Sequence, residues 1–160
     1  MSRPDSATAM VEVAVDPGTA FRIFTEEIGQ WWRPGPLNWN NSQRAVSVRI
    51  EPGVGGRWIE VLDAATGDGI ECGRITVWEP GKRFVFLYRD EGHAIDGTEV
   101  EVRFEEITGG TRVTLEHRGW DVVPPDVAAS RRNLKRWGWA NILNWYSEWA
   151  FWGSPSRLSR

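Results

Sequence analysis

Three side chains in this 160-residue chain could do chemistry inside a small domain: Glu60 in GGRWIEVLD, Tyr88 in KRFVFLYRD and His117 in GTRVTLEHRG. A carboxylate, a phenol and an imidazole are groups from which acid–base sites are built, because burial and neighbours can tune their protons toward neutral pH. Each lies in a strand-like run, so alternation decides which of them can meet. In TRVTLEHRGW, Val113 and Leu115 point inward and carry His117 to the same face near the strand end. In KRFVFLYRD the inward set is Phe84, Phe86 and Tyr88. In GGRWIEVLD, Trp58 and Glu60 share one face and Arg57, Ile59 and Val61 the other; periodicity leaves open which face is the inner one. An inward Glu60 would pair with an arginine or have its pKa raised into the range of a catalytic acid. An inward His117 is more often a hydrogen-bonded core residue than a ligand contact or a base.

Other chemistries need spacings that the chain lacks. Cys72 is the one cysteine, which excludes an internal disulfide, and it reads as a small buried hydrophobe. His93 and His117 with that cysteine show no metal-ligand spacing, so no metal and no cofactor are expected. GVGGRW lacks the lysine and the spacing of a phosphate-binding loop and reads as a turn entering a strand. Ser154 and Ser156 sit in a polar tail without a nucleophile elbow. Glu26-Glu27 and Glu105-Glu106 read as surface carboxylates.

The candidates must be held by the elements around them. Residues 8–15 alternate as a strand; Asp16-Pro17 supplies an N-cap and a first-turn proline for a short helix carrying Phe21, Ile23 and Phe24. EEIGQWWRPGPLNWNN reads as a broken helix running into a Pro/Gly loop. From Arg44 onward come six strand-like runs, AVSVRIEPG, GGRWIEVLD, GIECGRITVWEPG, KRFVFLYRD, GTEVEVRFEEI and GTRVTLEHRG, the last two joined by a tight Thr108-Gly109-Gly110 hairpin. In GTEVEVRFEEI, Val100, Val102 and Phe104 point in, and Glu99, Glu101, Arg103 and Glu105 point out. Pro124-Pro125-Asp126 opens a long C-terminal helix. The order predicts an α+β fold: a curved antiparallel sheet of about seven strands, with the last helix on its concave side.

That helix, Arg131 to Trp152, holds five of the eleven tryptophans. At about 100° per residue, Trp139, Ile142, Leu143, Trp145, Tyr146, Trp149 and Ala150 share an arc of roughly 160°, a broad apolar face. Trp137 and Phe151 point off it. Continued backwards, the arc carries Arg131, Arg132 and Lys135. Either that end overhangs solvent with its charges in water, or it lines a wet opening that would favour a carboxylate or phosphate ligand.

Composition bounds the function. With 41% apolar and 26% charged residues the chain reads as one folded domain over 1–160, its core at about 8–152 between flexible tails 1–7 and 153–160. A net charge of −3 gives no reason to expect a nucleic-acid partner, and no uncharged stretch approaches the roughly 20 residues of a membrane span. The N-terminus lacks a signal-like apolar run, so a cytoplasmic location is expected.

Taken together, VEVAVDPGTAFRIFT with Trp31-Trp32-Arg33-Pro34, then EPGVGGRW, GRITVWEPGKRFVFLY, GGTRVTLEHRGW and Gly138-Trp139 resemble the START-like (Bet v 1-like, SRPBCC) helix-grip superfamily. Within it, the details are similar to the activator of heat-shock protein 90 ATPase homologue, C-terminal-domain-like subgroup. The resemblance implies a seven-stranded sheet gripping the last helix around an apolar cavity. Relatives with this architecture bind lipids, sterols, polyketides or plant hormones, and some act as cyclases or dehydratases. Tyr88 stands where many relatives have tryptophan.

Three functions are therefore weighed. The favoured one is a cavity for a small apolar or aromatic ligand, with an acidic group allowed, lined by Trp58, Glu60, Tyr88, His117, Trp139 and Tyr146, with Arg131 and Lys135 at its mouth. The second is a cyclase- or dehydratase-like enzyme using Glu60 or His117 as acid or base and Tyr88 as hydrogen-bond donor. The third is an interaction module, chaperone-linked or a homodimer, using Trp137, Phe151 and Trp152.

Overall fold

The computed structural model describes residues 6–33, 44–89 and 97–158, so the Pro/Gly loop after Arg33 and His93 lie outside the described residues. Strand β1 (Ala7–Val13) leads into α1 (Pro17–Glu26) and the single-turn α2 (Ile28–Trp31). Then follow β2 (Ser47–Ile50), β3 (Arg57–Val61), β4 (Gly69–Glu79), β5 (Arg83–Tyr88), β6 (Glu99–Ile107) and β7 (Gly110–Arg118). A 3-10 turn at Trp120–Val122 precedes α3 (Pro125–Trp152), and a last 3-10 turn covers Pro155–Leu158. The strands form one antiparallel sheet in the order β1-β7-β6-β5-β4-β3-β2, with β1 closing back onto β7. The predicted α+β helix-grip architecture is the observed one.

Local chemistry explains the elements. The Asp16 carboxylate accepts from the Thr19 hydroxyl at 2.6 Å and the Thr19 backbone N–H at 3.1 Å, capping α1 in front of Pro17. Thr108-Gly109 turns β6 into β7 with Gly109 at φ +86°, a conformation that costs a side-chain-bearing residue. Strand β4 is irregular twice: its register shifts where it passes Trp58/Ile59 of β3 and again between Ile75 and Val77 opposite β5. Such bulges bend a strand and deepen the curl of a sheet.

The inner face follows the predicted alternation. Val100, Val102, Phe104, Val113, Leu115, Phe84 and Phe86 are all at least 96% buried in one core with Ile142, Leu143, Tyr146 and Ala150 of α3. At one end α1 fills the curve: Phe21 packs edge-on against Trp78 at 5.0 Å and Phe104 at 5.2 Å, and Phe24 meets Trp31 at 5.1 Å and Tyr146 at 5.2 Å. That half is solid.

The outer face departs from a simple solvated surface. Glu101 points outward as expected yet is 6% exposed, because arginines cover it. The register sets Glu101 opposite Glu116 and Arg83 opposite Arg103, like against like. Arg118 resolves the conflict, bonding Glu99, Glu101 and Glu116 together, while Arg83 reaches the second oxygen of Glu101 at 3.0 Å. Burial pushes the Glu101 carboxyl up, and the hydrogen bonds from Arg118 and Arg83 outweigh it, leaving the group below its usual range.

Candidate functional site

The other half of the concave face carries a closed rim of aromatic rings. Trp32, just past α2, lies 5.6 Å from Trp58 of β3, centroid to centroid. Trp58 lies 4.7 Å from Phe86, and Phe86 lies 6.5 Å from Tyr88, both on β5. Tyr88 lies 5.0 Å from His117 of β7, His117 lies 6.1 Å from Trp139 of α3, and Trp139 returns to Trp32 at 6.4 Å. Among the described residues no ring contact spans the loop from one side to the other, so these six form a rim, not a stack. Gly73 makes the rim possible. It lies in β4 between Trp58 and Tyr88, and a Cβ there would fall 2.5 Å from the Phe86 ring. Its bare backbone lets Phe86 lean across β4 onto Trp58.

The inner side of β3 is now settled. Trp58 and Glu60 pair with Ile50 and Val48, which belong to or pack on the core, so both side chains face inward; Glu60 is 2% exposed. Arg57, Ile59 and Val61 take the outer side.

His117 is fully buried, and both of its ring nitrogens are engaged. The indole N–H of Trp139 can only donate, and it reaches Nδ1 at 3.1 Å, so Nδ1 is the acceptor. Nε2 then carries the proton and donates to Thr98 Oγ1 at 2.7 Å. Burial, and secondarily the charge of Lys135, holds the imidazole well below its ordinary pKa. His117 is therefore a neutral strut tying β7 and Thr98, just before β6, to α3, with no nitrogen left to take a substrate proton. Beside it, the tilted Trp120 ring lies 4.6 Å away and donates its indole N–H to the His117 carbonyl at 2.9 Å.

Lys135 reaches the same rim from α3. Its Nζ donates to the Tyr88 hydroxyl at 2.7 Å and lies 4.8 Å from the Tyr88 ring centroid and 5.8 Å from that of Trp139. Arg131, one turn earlier, is exposed. Tyr146 stands apart from the rim. Its hydroxyl donates to the Ala20 carbonyl at 2.9 Å, and burial pushes the phenol far above its ordinary pKa.

Sequence reasoning missed several residues. Trp32 and Phe86 are rim members not named as such, although the Trp31-Trp32 pair and the inward alternation of β5 carried the signal. Glu27, read with Glu26 as a surface carboxylate, is only 7% exposed. Its Oε1 accepts from the Trp149 indole at 2.8 Å and the Ser154 hydroxyl at 2.7 Å, and its Oε2 accepts from Ser156. Ser154, read as part of a polar tail, is 1% exposed for the same reason. Cys72 is half-buried rather than buried.

A groove lies away from the rim, between the end of β1 and the C-terminal end of α3. Glu12, Val13 and Val15 face Glu148, Phe151, Trp152 and Arg157 across a groove of about 530 Å³. Among the described residues no helix is long and apolar enough to cross a membrane, and no cluster of histidine, cysteine and carboxylates could hold a metal ion.

Solved structures share this fold at low sequence identity. A protein from Mesorhizobium loti superposes with a TM-score of 0.64 at 17% identity, covering 89% of this chain and 94% of its own. The Aha1 dimer from Colwellia psychrerythraea gives 0.63 at 17% identity, with 93% and 98% covered. An AHSA1-like protein from Aeromonas hydrophila gives 0.61 at 19% identity, with 90% of each chain covered. Among curated proteins, none matches this chain in sequence. The family model described as Activator of Hsp90 ATPase homolog 1-like protein matches residues 14–144, and the chain belongs to that family.

Proposed function

We propose that the chain is a binding protein for a small apolar or aromatic guest, received inside the aromatic rim. The carrying observation is the closed loop Trp32–Trp58–Phe86–Tyr88–His117–Trp139 with no ring contact across it. Walls of π faces with a few polar groups suit a flat or hydrophobic molecule. The engaged nitrogens of His117 weigh against acid–base catalysis by that residue and favour binding over the cyclase-like alternative. Indole N–H resonances of ¹⁵N-tryptophan-labelled protein test this reading against a panel of one- to three-ring aromatic compounds. Shifts should concentrate on Trp32, Trp58 and Trp139, while Trp31, bonded to the Ile23 carbonyl, and Trp149, bonded to Glu27, stay still. A panel that moves none of the rim signals, or moves all five alike, overturns the reading.

A second reading, self-association, has its own support. Trp137, Phe151 and Trp152 are 60%, 58% and 75% exposed on α3, the last two beside the groove. The structural relative from Colwellia psychrerythraea is described as a dimer. Sedimentation of the wild type and of Trp152→Ser tests it; a monomer for both at high micromolar concentration removes it.

A further inference from the structure

The geometry points to a flat aromatic carboxylate as the guest, its acid group held by Lys135 and Tyr88; this rests on the binding reading above and narrows it. A lysine ammonium has three donors and no acceptor. Lys135 uses one of them on the Tyr88 oxygen, and it makes no ion pair with a carboxylate among the described residues. Two ammonium hydrogens and the Tyr88 hydroxyl hydrogen therefore stand together at the rim, a donor-rich and acceptor-poor arrangement on half-buried side chains. An anion with two oxygens satisfies it; an alcohol or an ester does so poorly, because charge-assisted hydrogen bonds are roughly twice as strong as neutral ones. The His117 ring beside Tyr88 is neutral and has both nitrogens engaged, so it adds no second cation to the rim.

The orientation of the guest follows from the rest of the rim. Lys135 lies by Tyr88, His117 and Trp139, opposite Trp58 in the loop, and Glu60 lies beyond Trp58 on the same inner face of β3. An anionic end placed at Lys135 sits on the Tyr88 and Trp139 side of the loop. The ring system then lies among Trp58, Phe86 and Trp32. Among the described residues the buried Trp32 indole N–H has no hydrogen-bond partner, and a buried orphan donor is costly. A keto, ether or phenolic oxygen on the ring system would satisfy it, so oxygen-substituted aromatic acids are the preferred subset.

The experiment pairs acids with their primary amides, which match them in shape and differ in charge. Calorimetric titration of benzoate, 2-naphthoate and anthracene-2-carboxylate against the three amides is run on the wild type, Lys135→Met and Lys135→Arg, with octanoate as a non-aromatic acid. For the ring size that fits, the acid should bind about tenfold tighter than its amide. Lys135→Met should erase the ratio while leaving amide binding in place, and Lys135→Arg should keep most of it. The indole N–H spectrum confirms that each variant is folded. Equal affinity for acid and amide overturns this assignment and leaves the apolar pocket standing, as does a ratio that survives in Lys135→Met. Octanoate binding as tightly as the aromatic acids overturns the aromatic half of it. If neither acids nor amides bind, the assignment and the pocket reading fall together.

Discussion

Acidification should destabilise this protein through His117 before its carboxylates begin to titrate. The imidazole is buried, neutral, and bonded as acceptor to Trp139 and as donor to Thr98. Protonation would set an Nδ1–H against the Trp139 indole N–H, donor against donor, beside the Lys135 ammonium and with no carboxylate bonded to the ring. Burial and Lys135 therefore hold the folded pKa well below the ordinary value of 6.5, while the unfolded chain takes up its proton near that value. The unfolded state then binds more protons, so stability falls as pH drops through about 6.5. For one such group the loss between pH 7.5 and 5.5 is about 1.4 kcal/mol. The depressed carboxylates, Asp16, Glu51 and Glu101, have ordinary values near 4 in the unfolded chain and contribute only at lower pH. Urea unfolding of the wild type and His117→Gln at the two pH values isolates the effect, and His93 cancels because both chains carry it. The wild type should lose about 1.4 kcal/mol more than the variant. Equal losses would refute the reasoning, because they would mean that the buried ring accepts a proton as readily as an exposed one.

Two further predictions concern polar groups away from the rim. Glu27→Ala should cost about 2–4 kcal/mol in urea unfolding, since it leaves the Trp149 indole N–H and the buried Ser154 hydroxyl without their acceptor. Glu27→Gln, which keeps one carbonyl acceptor, should cost less; indistinguishable variants would count against the latch. Arg118→Met should cost about 2–4 kcal/mol at neutral pH by leaving Glu99, Glu101 and Glu116 without their shared cation. Because the Arg118 hydrogen bond that helps hold the folded Glu101 pKa down is then lost, the deficit should shrink as pH falls toward 4.5, and a deficit independent of pH would show that Arg118 acts by packing alone.

The readable parts of the sequence were those governed by period and cap. Val100, Val102, Phe104, Val113, Leu115 and His117 face inward because a pleated strand allows no other choice once one of them does. The α3 face from Trp139 to Ala150 was legible for the same reason. What could not be read depends on long-range pairing. Both faces of β3 are buried, so burial pattern alone could not orient Trp58 and Glu60; their partners on β2 do that. Glu27 is buried by residues more than 120 positions later, and no local pattern announces them. Glu101 was assigned the correct face, but its burial could not be read, because cover on that face comes from arginine stems on two other strands. Tyr146 followed the helical arc correctly, yet the side on which α1 closes the sheet placed it in the solid half.

The division of the concave face into a solid half and a rimmed half has an energetic logic. A guest-sized space inside the rim, as the binding reading requires, would forfeit dispersion contacts, and the rest of the structure would have to compensate for it. Here α1 supplies Phe21 and Phe24 to one end, and the C-terminal turn is bonded onto Glu27 at the end of α1, binding the end of α3 to the same region. The rim end is held by directed bonds as well: Thr98 to His117, His117 to Trp139, and Lys135 to Tyr88. Directed bonds fix ring positions, which is what the proposed binding reading asks of walls that keep their shape around a guest. His117 is the joint of that arrangement, because one neutral ring links β7 and Thr98 to the helix while serving as a wall itself. A change at this residue should therefore alter stability and guest affinity together, whereas changes at Glu27 should alter stability alone.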